Sequence, residues 1–184
     1  SRLVDEKKVK GYALSIIQDP VEPSLVFVGT EHGLWVSFDK GTSFQQWKNG
    51  YPSVSTYDMA IQEREADLAI ATFGRALWVL DNIRPLREIA RSKGMLTPAK
   101  RLTAFETGPI IQAEFRNAPG YEWSTWGLYE GQNRNRGAEY SFFVKPKDKA
   151  DTLNKTKMDS ATIKIYNSSN ELIRTTKVKA DTGF

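Results

Sequence analysis

Leu34-Trp35-Val36-Ser37-Phe38-Asp39 recurs as Leu77-Trp78-Val79-Leu80, again followed by an aspartate, Asp81, so that Trp35 and Trp78 stand 43 residues apart. Two more stretches repeat with it. Leu25-Val26-Phe27-Val28-Gly29-Thr30 returns as Asp67-Leu68-Ala69-Ile70-Ala71-Thr72, and Tyr12-Ala13-Leu14-Ser15-Ile16 corresponds to Tyr57-Asp58-Met59-Ala60-Ile61. A period of about 40–45 residues built from several short apolar strands is the signature of a β-propeller blade, a small sheet that cannot bury its faces alone. Each unit reads as strands A, B and C, with breaks at Asp19-Pro20 and Pro23 and again at His32-Gly33. The first continues into a fourth strand, D, around Phe44-Gln45-Gln46-Trp47. The competing arrangement is a β-sandwich whose strands resemble one another by chance, and the paired Leu-Trp-Val and Gly/Ala-Thr positions count against it.

Between C and D lies Ser37-Phe38-Asp39-Lys40-Gly41-Thr42-Ser43-Phe44. Asp39 can accept backbone N–H bonds inside the turn, Gly41 supplies a positive φ, and Phe44 can pack back over the hairpin. The segment resembles the bacterial neuraminidase repeat, or Asp-box, Ser-x-Asp-x-Gly-x-Ser/Thr-Trp/Phe. That resemblance implies a folding role, not a catalytic one, for Ser37, Asp39, Gly41, Ser43 and Phe44. A propeller closes with about 4–8 blades. One complete unit and three strands of another are present, so further blades of the same chain are expected upstream, in keeping with a first residue that is Ser1 and not Met.

The bulk numbers narrow the class without naming a function. Hydrophobic residues make up 40% of the 184, aromatic residues 11%, which suits many short, half-exposed strands. No run approaches 18 apolar residues, so no membrane span is expected, and Ser1 to Lys10 lacks the apolar core of a secretory signal. Residues 1–90 hold 10 Lys/Arg against 12 Asp/Glu, whereas residues 91–184 hold 16 against 10. That change of sign places a domain boundary near residue 90. The basic surplus gathers in one loop, Lys145-Pro146-Lys147-Asp148-Lys149 through Lys155-Thr156-Lys157, whose plain reading is a solvated insertion; contact with an acidic polysaccharide is the sharper one. Nucleic acid is not an expected partner. The absence of cysteine excludes a disulfide scaffold, a thiolate metal site and a Cys nucleophile.

After Asp81-Asn82 a short helix is expected, with Pro85 at its first position, Arg91 and Lys93 in its last turn and Gly94 just beyond. The stretch Thr72-Phe73-Gly74-Arg75-Ala76-Leu77-Trp78-Val79-Leu80-Asp81-Asn82-Ile83-Arg84-Pro85-Leu86-Arg87-Glu88 resembles the final-blade pattern of large bacterial sortilin-like propeller proteins. Those proteins often carry a glycosyl hydrolase label. The family pattern is Thr-His-Gly-Arg-Gly-Phe-Trp-Val-Leu-Asp-Asp; here Phe73 replaces the His and Ala76 the second Gly. Gly131-Gln132-Asn133-Arg134-Asn135-Arg136-Gly137-Ala138 is similar to the entry of that family's C-terminal immunoglobulin-like domain, with Arg134 and Asn135 in place of two prolines. Period-two alternation over Glu139–Val144 and Ala161–Tyr166, then a turn at Asn167-Ser168-Ser169-Asn170 and a strand from Glu171 to Val178, agree with a sandwich that is cut short at Phe184. The expected fold is therefore all-β: residues 1–90 the terminal blades of a propeller, 91–110 helix and linker, 111–184 the start of an immunoglobulin-like β-sandwich.

Antiparallel blades send A–B and C–D loops to one end and B–C and D–A connections to the other. The Asp-box is a C–D loop. Thr30-Glu31-His32-Gly33 and Phe73-Gly74-Arg75 therefore open at the opposite end, together with Pro52-Ser53-Val54-Ser55-Thr56. Glu31, His32 and Arg75 are the candidate ligand contacts. Glu31 as a general acid needs a second carboxylate across the pocket, for which Asp58 is the one partner in reach. A single Arg is not the cluster that binds a sialic acid carboxylate. No metal-ligand spacing and no cofactor motif occurs. The resemblance implies an exported protein that binds a protein or glycan, or alternatively a glycoside hydrolase, sialidase- or xyloglucanase-like, whose catalytic carboxylates come mainly from other blades.

Overall fold

The computed structural model describes residues 7–92, 102–108, 110, 137–144 and 160–179. Within them the chain is built from short antiparallel sheets and one helix. The first repeat unit is a four-stranded meander of β1 (Ala13–Gln18), β2 (Val26–Thr30), β3 (Gly33–Ser37) and β4 (Gln45–Trp47). The second has three strands, β5 (Thr56–Gln62), β6 (Asp67–Thr72) and β7 (Leu77–Leu80). Apolar and β-branched runs make these strands. Val26-Phe27-Val28 is buried on both faces, as a near-continuous apolar strand must be, whereas Leu68 and Ile70 in β6 alternate with the more accessible Ala69 and Ala71.

Residue by residue, the two units share one register. Trp35 stands opposite Val28 and Trp78 opposite Ile70, on separate sheets and in equivalent places. Both inner strands carry a bulge, at Ala13/Ser15 and at Thr56/Asp58, which sets Ser15 against Gly29 and Asp58 against Ala71. The inner strands therefore correspond at the same 43-residue offset as the tryptophans, and the pairing of Tyr12 with Tyr57 expected from the sequence is two residues out. Leu14, not Tyr12, is the counterpart of Tyr57. The attraction of matching two tyrosines loses to the register that the partner strands impose.

The sheets pack face to face. Leu25, Phe27, Leu34 and Val36 of the first meet Met59, Leu68 and Ile70 of the second in one buried cluster, joined by Ile83, Leu86, Ile89 and Ala90. Where the inner strands cross, Gly29 is indispensable. A Cβ there would lie 2.3 Å from Ser15 Oγ and 2.5 Å from the Thr56 carbonyl oxygen, which itself accepts a 3.2 Å bond from Ser15 Oγ. The other face of the first sheet is covered by Val9 and Phe44, which pack on Val26, Val28 and Trp35. Phe44 thus folds back as the motif predicted, while the buried Trp35 Nε1 has no acceptor among the described residues.

α1 (Arg84–Arg91) follows the second sheet, with Ile83 at its N-cap and Pro85 inside the first turn, one place later than expected. It precedes the 91–110 span assigned to it by the sequence, and that span instead contributes β8 (Leu102–Ala104), which pairs with β9 (Phe142–Val144). Phe105, just after β8, enters the cluster between the sheets. β10 (Ser160–Tyr166) and β11 (Leu172–Lys179) form the expected hairpin around Asn167–Asn170. Lys93, Gly94, the 131–136 part of the Gly-rich motif and the basic loop at 145–157 lie outside the described residues. The all-β expectation holds for this architecture, with α1 as its one helix among the described residues.

An ion pair fastens α1 across the sheets. Arg87 Nε lies 3.1 and 3.0 Å from the two carboxylate oxygens of Asp19, and Nη2 is 2.9 Å from Oδ2 but out of hydrogen-bonding alignment. Asp19 also accepts the N–H groups of Val21 (2.8 Å) and Glu22 (2.6 Å), ordering the β1–β2 loop. Asp19 is 1% and Arg87 6% exposed, so removing either charge strands the other in a dry site. Asp19→Ala should cost about 3–5 kcal/mol, and Asp19→Ala with Arg87→Met should recover a substantial part of it. Urea denaturation of the single and double variants reads both numbers, and a double variant no better than the single would mean that the loop bonds, not the charge, dominate.

Candidate functional site

The two ends of the paired sheets differ in what they are built from. At one end the β3–β4 turn is closed on itself. Ser37 Oγ donates to Asp39 Oδ1 (2.8 Å) and accepts the Gly41 N–H (2.8 Å), while the Ser43 N–H and hydroxyl donate to the two Asp39 oxygens at 2.9 and 2.6 Å. Lys40 and Gly41 take positive φ values of 59° and 81°, the turn that glycine eases. Lys40 N–H reaches the Ser24 carbonyl (3.0 Å), so this turn and the β1–β2 loop share an end. α1 sits there too, with Arg84 donating to the Arg64 and Glu65 carbonyls and Arg91 paired with Glu22. Every polar group singled out in Ser37–Ser43 is committed to the turn.

At the other end the backbone is held and the side chains are left out. Glu31 and His32 are the two turn residues between β2 and β3. The buried Thr30 hydroxyl locks them, accepting the His32 N–H (3.1 Å) and donating to the Gly33 carbonyl (3.2 Å). Gln46 Nε2 donates to the His32 carbonyl at 2.9 Å. Thr72 does the same work in the second unit, its hydroxyl donating to the Ala76 carbonyl (2.7 Å) across a loop one residue longer, and Trp78 Nε1 donates to the Arg75 carbonyl (2.9 Å). The side chains of Glu31, His32 and Arg75 remain exposed.

Ser55 joins the two loops. Its hydroxyl donates to the Glu31 carbonyl at 3.3 Å, and its carbonyl accepts the Phe73 N–H at 2.9 Å. The predicted clustering of both loops with the 52–56 segment at the end opposite the Ser37–Phe44 turn is what these bonds describe. Two residues at this end were not singled out by the sequence reading. Gly11, at φ 83°, lies under the turn so closely that a Cβ would come within 3.0 Å of the His32 ring and 3.6 Å of Glu31 Oε2. Tyr57 lies against Phe73, ring centroids 5.9 Å apart, both more than half exposed. The Gly11 approach could not be read locally; the aromatic pair was hidden by the misaligned inner strands.

Chemically, this end offers a carboxylate, an imidazole, a guanidinium and two aromatic faces on rigid turns. Asp58, the one carboxylate considered as a partner for Glu31, uses Oδ1 to accept its neighbour's Met59 N–H at 2.8 Å. Among the described residues neither Glu31 nor Arg75 belongs to an ion pair, and no group of His, Asp and Glu is arranged to hold a metal. The cavity of about 50 Å³ between the sheets, lined by Leu34, Trp47, Tyr51, Ile70 and Trp78, is too small for a sugar ring. No family model matches the chain, no curated protein matches it, and no solved structure matches it. The functional reading therefore stands on these residues.

The contrast between the ends can be measured at Asp39. Burial works to raise its pKa, but the Ser43 hydroxyl and N–H, the Ser37 hydroxyl and the Thr42 N–H outweigh it and hold the carboxyl below its ordinary range. A folded-state pKa below the unfolded one gives stability that is fully present above about pH 4 and fades as pH falls towards the folded value. Asp39→Ala should cost about 1–2 kcal/mol at neutral pH. Asp39→Asn should differ from the wild type mainly above about pH 4, the two melting curves converging in acid. A gap that stays constant down to about pH 2 would show that the charge contributes nothing.

Proposed function

We propose that the two paired sheets are terminal blades of an Asp-box propeller running into an immunoglobulin-like sandwich, and that the protein is an exported module that binds a protein or glycan. The ligand meets the end that carries Glu31, His32 and Arg75. One observation carries this reading: Ser55 ties both turns into a single rigid platform while the charged and aromatic side chains on it stay exposed. A preorganised backbone under free polar and aromatic side chains is what recognition needs, since little ordering remains to oppose binding. The matched registers of the two units support the blade reading, and export follows from the sortilin-like resemblance.

Binding is favoured over glycoside hydrolysis by the company Glu31 keeps. Its neighbours are an imidazole and a backbone platform. The nearest candidate carboxylate, Asp58, spends an oxygen on its own strand. A glycosidase needs two carboxyl groups facing each other across the bond to be cut.

Glu31→Gln and Arg75→Ala should each weaken binding to a panel of immobilised bacterial polysaccharides and surface proteins by about fivefold or more, the loss of one charge-assisted contact. Both substitutions lie on exposed turn side chains and should change stability by no more than about 0.5 kcal/mol. Aryl-glycosides should remain uncleaved by every form. Turnover in the wild type that falls about 10²–10⁴-fold in Glu31→Gln would replace this reading with the hydrolase. Binding that ignores both substitutions would put the ligand elsewhere.

A further inference from the structure

The outer strands of the two units match each other but are treated differently. β3 is covered along its outer edge by β4, with Leu34 opposite Trp47, Trp35 opposite Gln46 and Val36 opposite Gln45. β7 repeats β3 as Leu77, Trp78 and Val79, yet it ends its sheet: after Leu80 the chain turns away into α1, and no described strand pairs with its outer side. The Thr72 N–H donates to the Ala76 carbonyl, so the main-chain groups of Ala76, Trp78 and Leu80 face β6 and those of Leu77 and Val79 face outward. Leu77 is 76% and Val79 59% exposed.

Open edges of this kind are normally blunted by lysine, proline or an inward charge, because their free N–H and C=O groups template another strand. Leu77-Trp78-Val79-Leu80 contains none of these. Charge sits only at its two ends, Arg75 before it and Asp81 after it, and the order of the segment is self-complementary. In an antiparallel pairing of two copies with Trp78 opposite Trp78, Leu77 of each falls opposite Val79 of the other. Arg75 of each is then brought towards Asp81 of the other, twice by symmetry. The outward main-chain groups of Leu77 and Val79 are the ones that such a register joins. A parallel pairing would set Arg75 beside Arg75.

We propose that a second copy of this chain docks on the outer edge of β7, making one six-stranded antiparallel sheet across a two-fold axis. The contact is isologous and closes on itself, so it gives a dimer and not a fibre. It covers Leu77 and Val79 in place of the strand that β4 supplies to β3. The inference stands on β7 alone and goes beyond the ligand-binding reading, so the failure of either leaves the other in place.

Sedimentation velocity of the full chain from about 1 to 100 μM should show a concentration-dependent dimer. Val79→Lys should raise its dissociation constant by at least about tenfold, as an edge lysine does. Asp81→Arg should weaken the dimer in the same way, and Arg75→Asp combined with Asp81→Arg should restore it, which keeps the test valid if Val79→Lys proves poorly folded. Hydrogen exchange at the Leu77 and Val79 amides should slow in the dimer and speed up on dilution. A monomer throughout that range overturns the proposal, as does a dimer indifferent to both charge reversals. Protection of those amides that does not depend on concentration overturns it too, because the edge is then filled by a strand of the same polypeptide.

Discussion

Two small sheets that share one apolar face set the terms for everything else in this chain. Neither three nor four short strands can bury both of their sides, and a sheet of this size has no stability in isolation. Phe27, Leu34 and Val36 on one sheet and Met59, Leu68 and Ile70 on the other solve that problem together. Their approach is limited by the inner strands, where Gly29 lets Ser15 reach the Thr56 carbonyl. At about 25 cal/mol per Å² of apolar surface, this shared face outweighs any single polar contact in the molecule. The turns can then be specialised at both ends without endangering the fold.

That specialisation is visible in how hydrogen bonds are spent. At the end with α1, side chains bond to side chains and to the backbone until nothing polar is left over: Ser37, Asp39 and Ser43 close a turn, and Asp19 and Arg87 neutralise each other in a dry contact. At the far end, Thr30, Thr72 and Ser55 bond to the backbone and leave Glu31, His32 and Arg75 exposed. Stability and recognition make opposite demands on a polar side chain. Separating them to opposite ends of one sheet pair lets both be met.

Motifs with local physics were legible without coordinates. The Ser37–Phe44 turn works through contacts spanning a few residues, so its carboxylate acceptor, its positive-φ glycine and its returning aromatic could all be named in advance. The exposed turn at Glu31-His32 was equally readable, because strand periodicity leaves few places for those residues to go. The inner strands were harder. A bulge in each shifts the count, and two tyrosines 45 residues apart, Tyr12 and Tyr57, suggest a correspondence that their partner strands refuse. The Asp19–Arg87 pair spans 68 positions, and among 26 basic and 22 acidic residues no local pattern selects it.

The sequence by itself determined the all-β class, the 43-residue repeat and the chemistry offered by each turn, because alternation, turn residues and period are properties of neighbours along the chain. Only the tertiary structure decided which faces meet, that Ser55 binds two loops into one platform, that Gly11 lies beneath His32, and that β7 is left with an open edge where β3 has β4. Those outcomes depend on which strand lies beside which, and pairing is set by the competition of many residues for one buried face. No short stretch of sequence contains that competition.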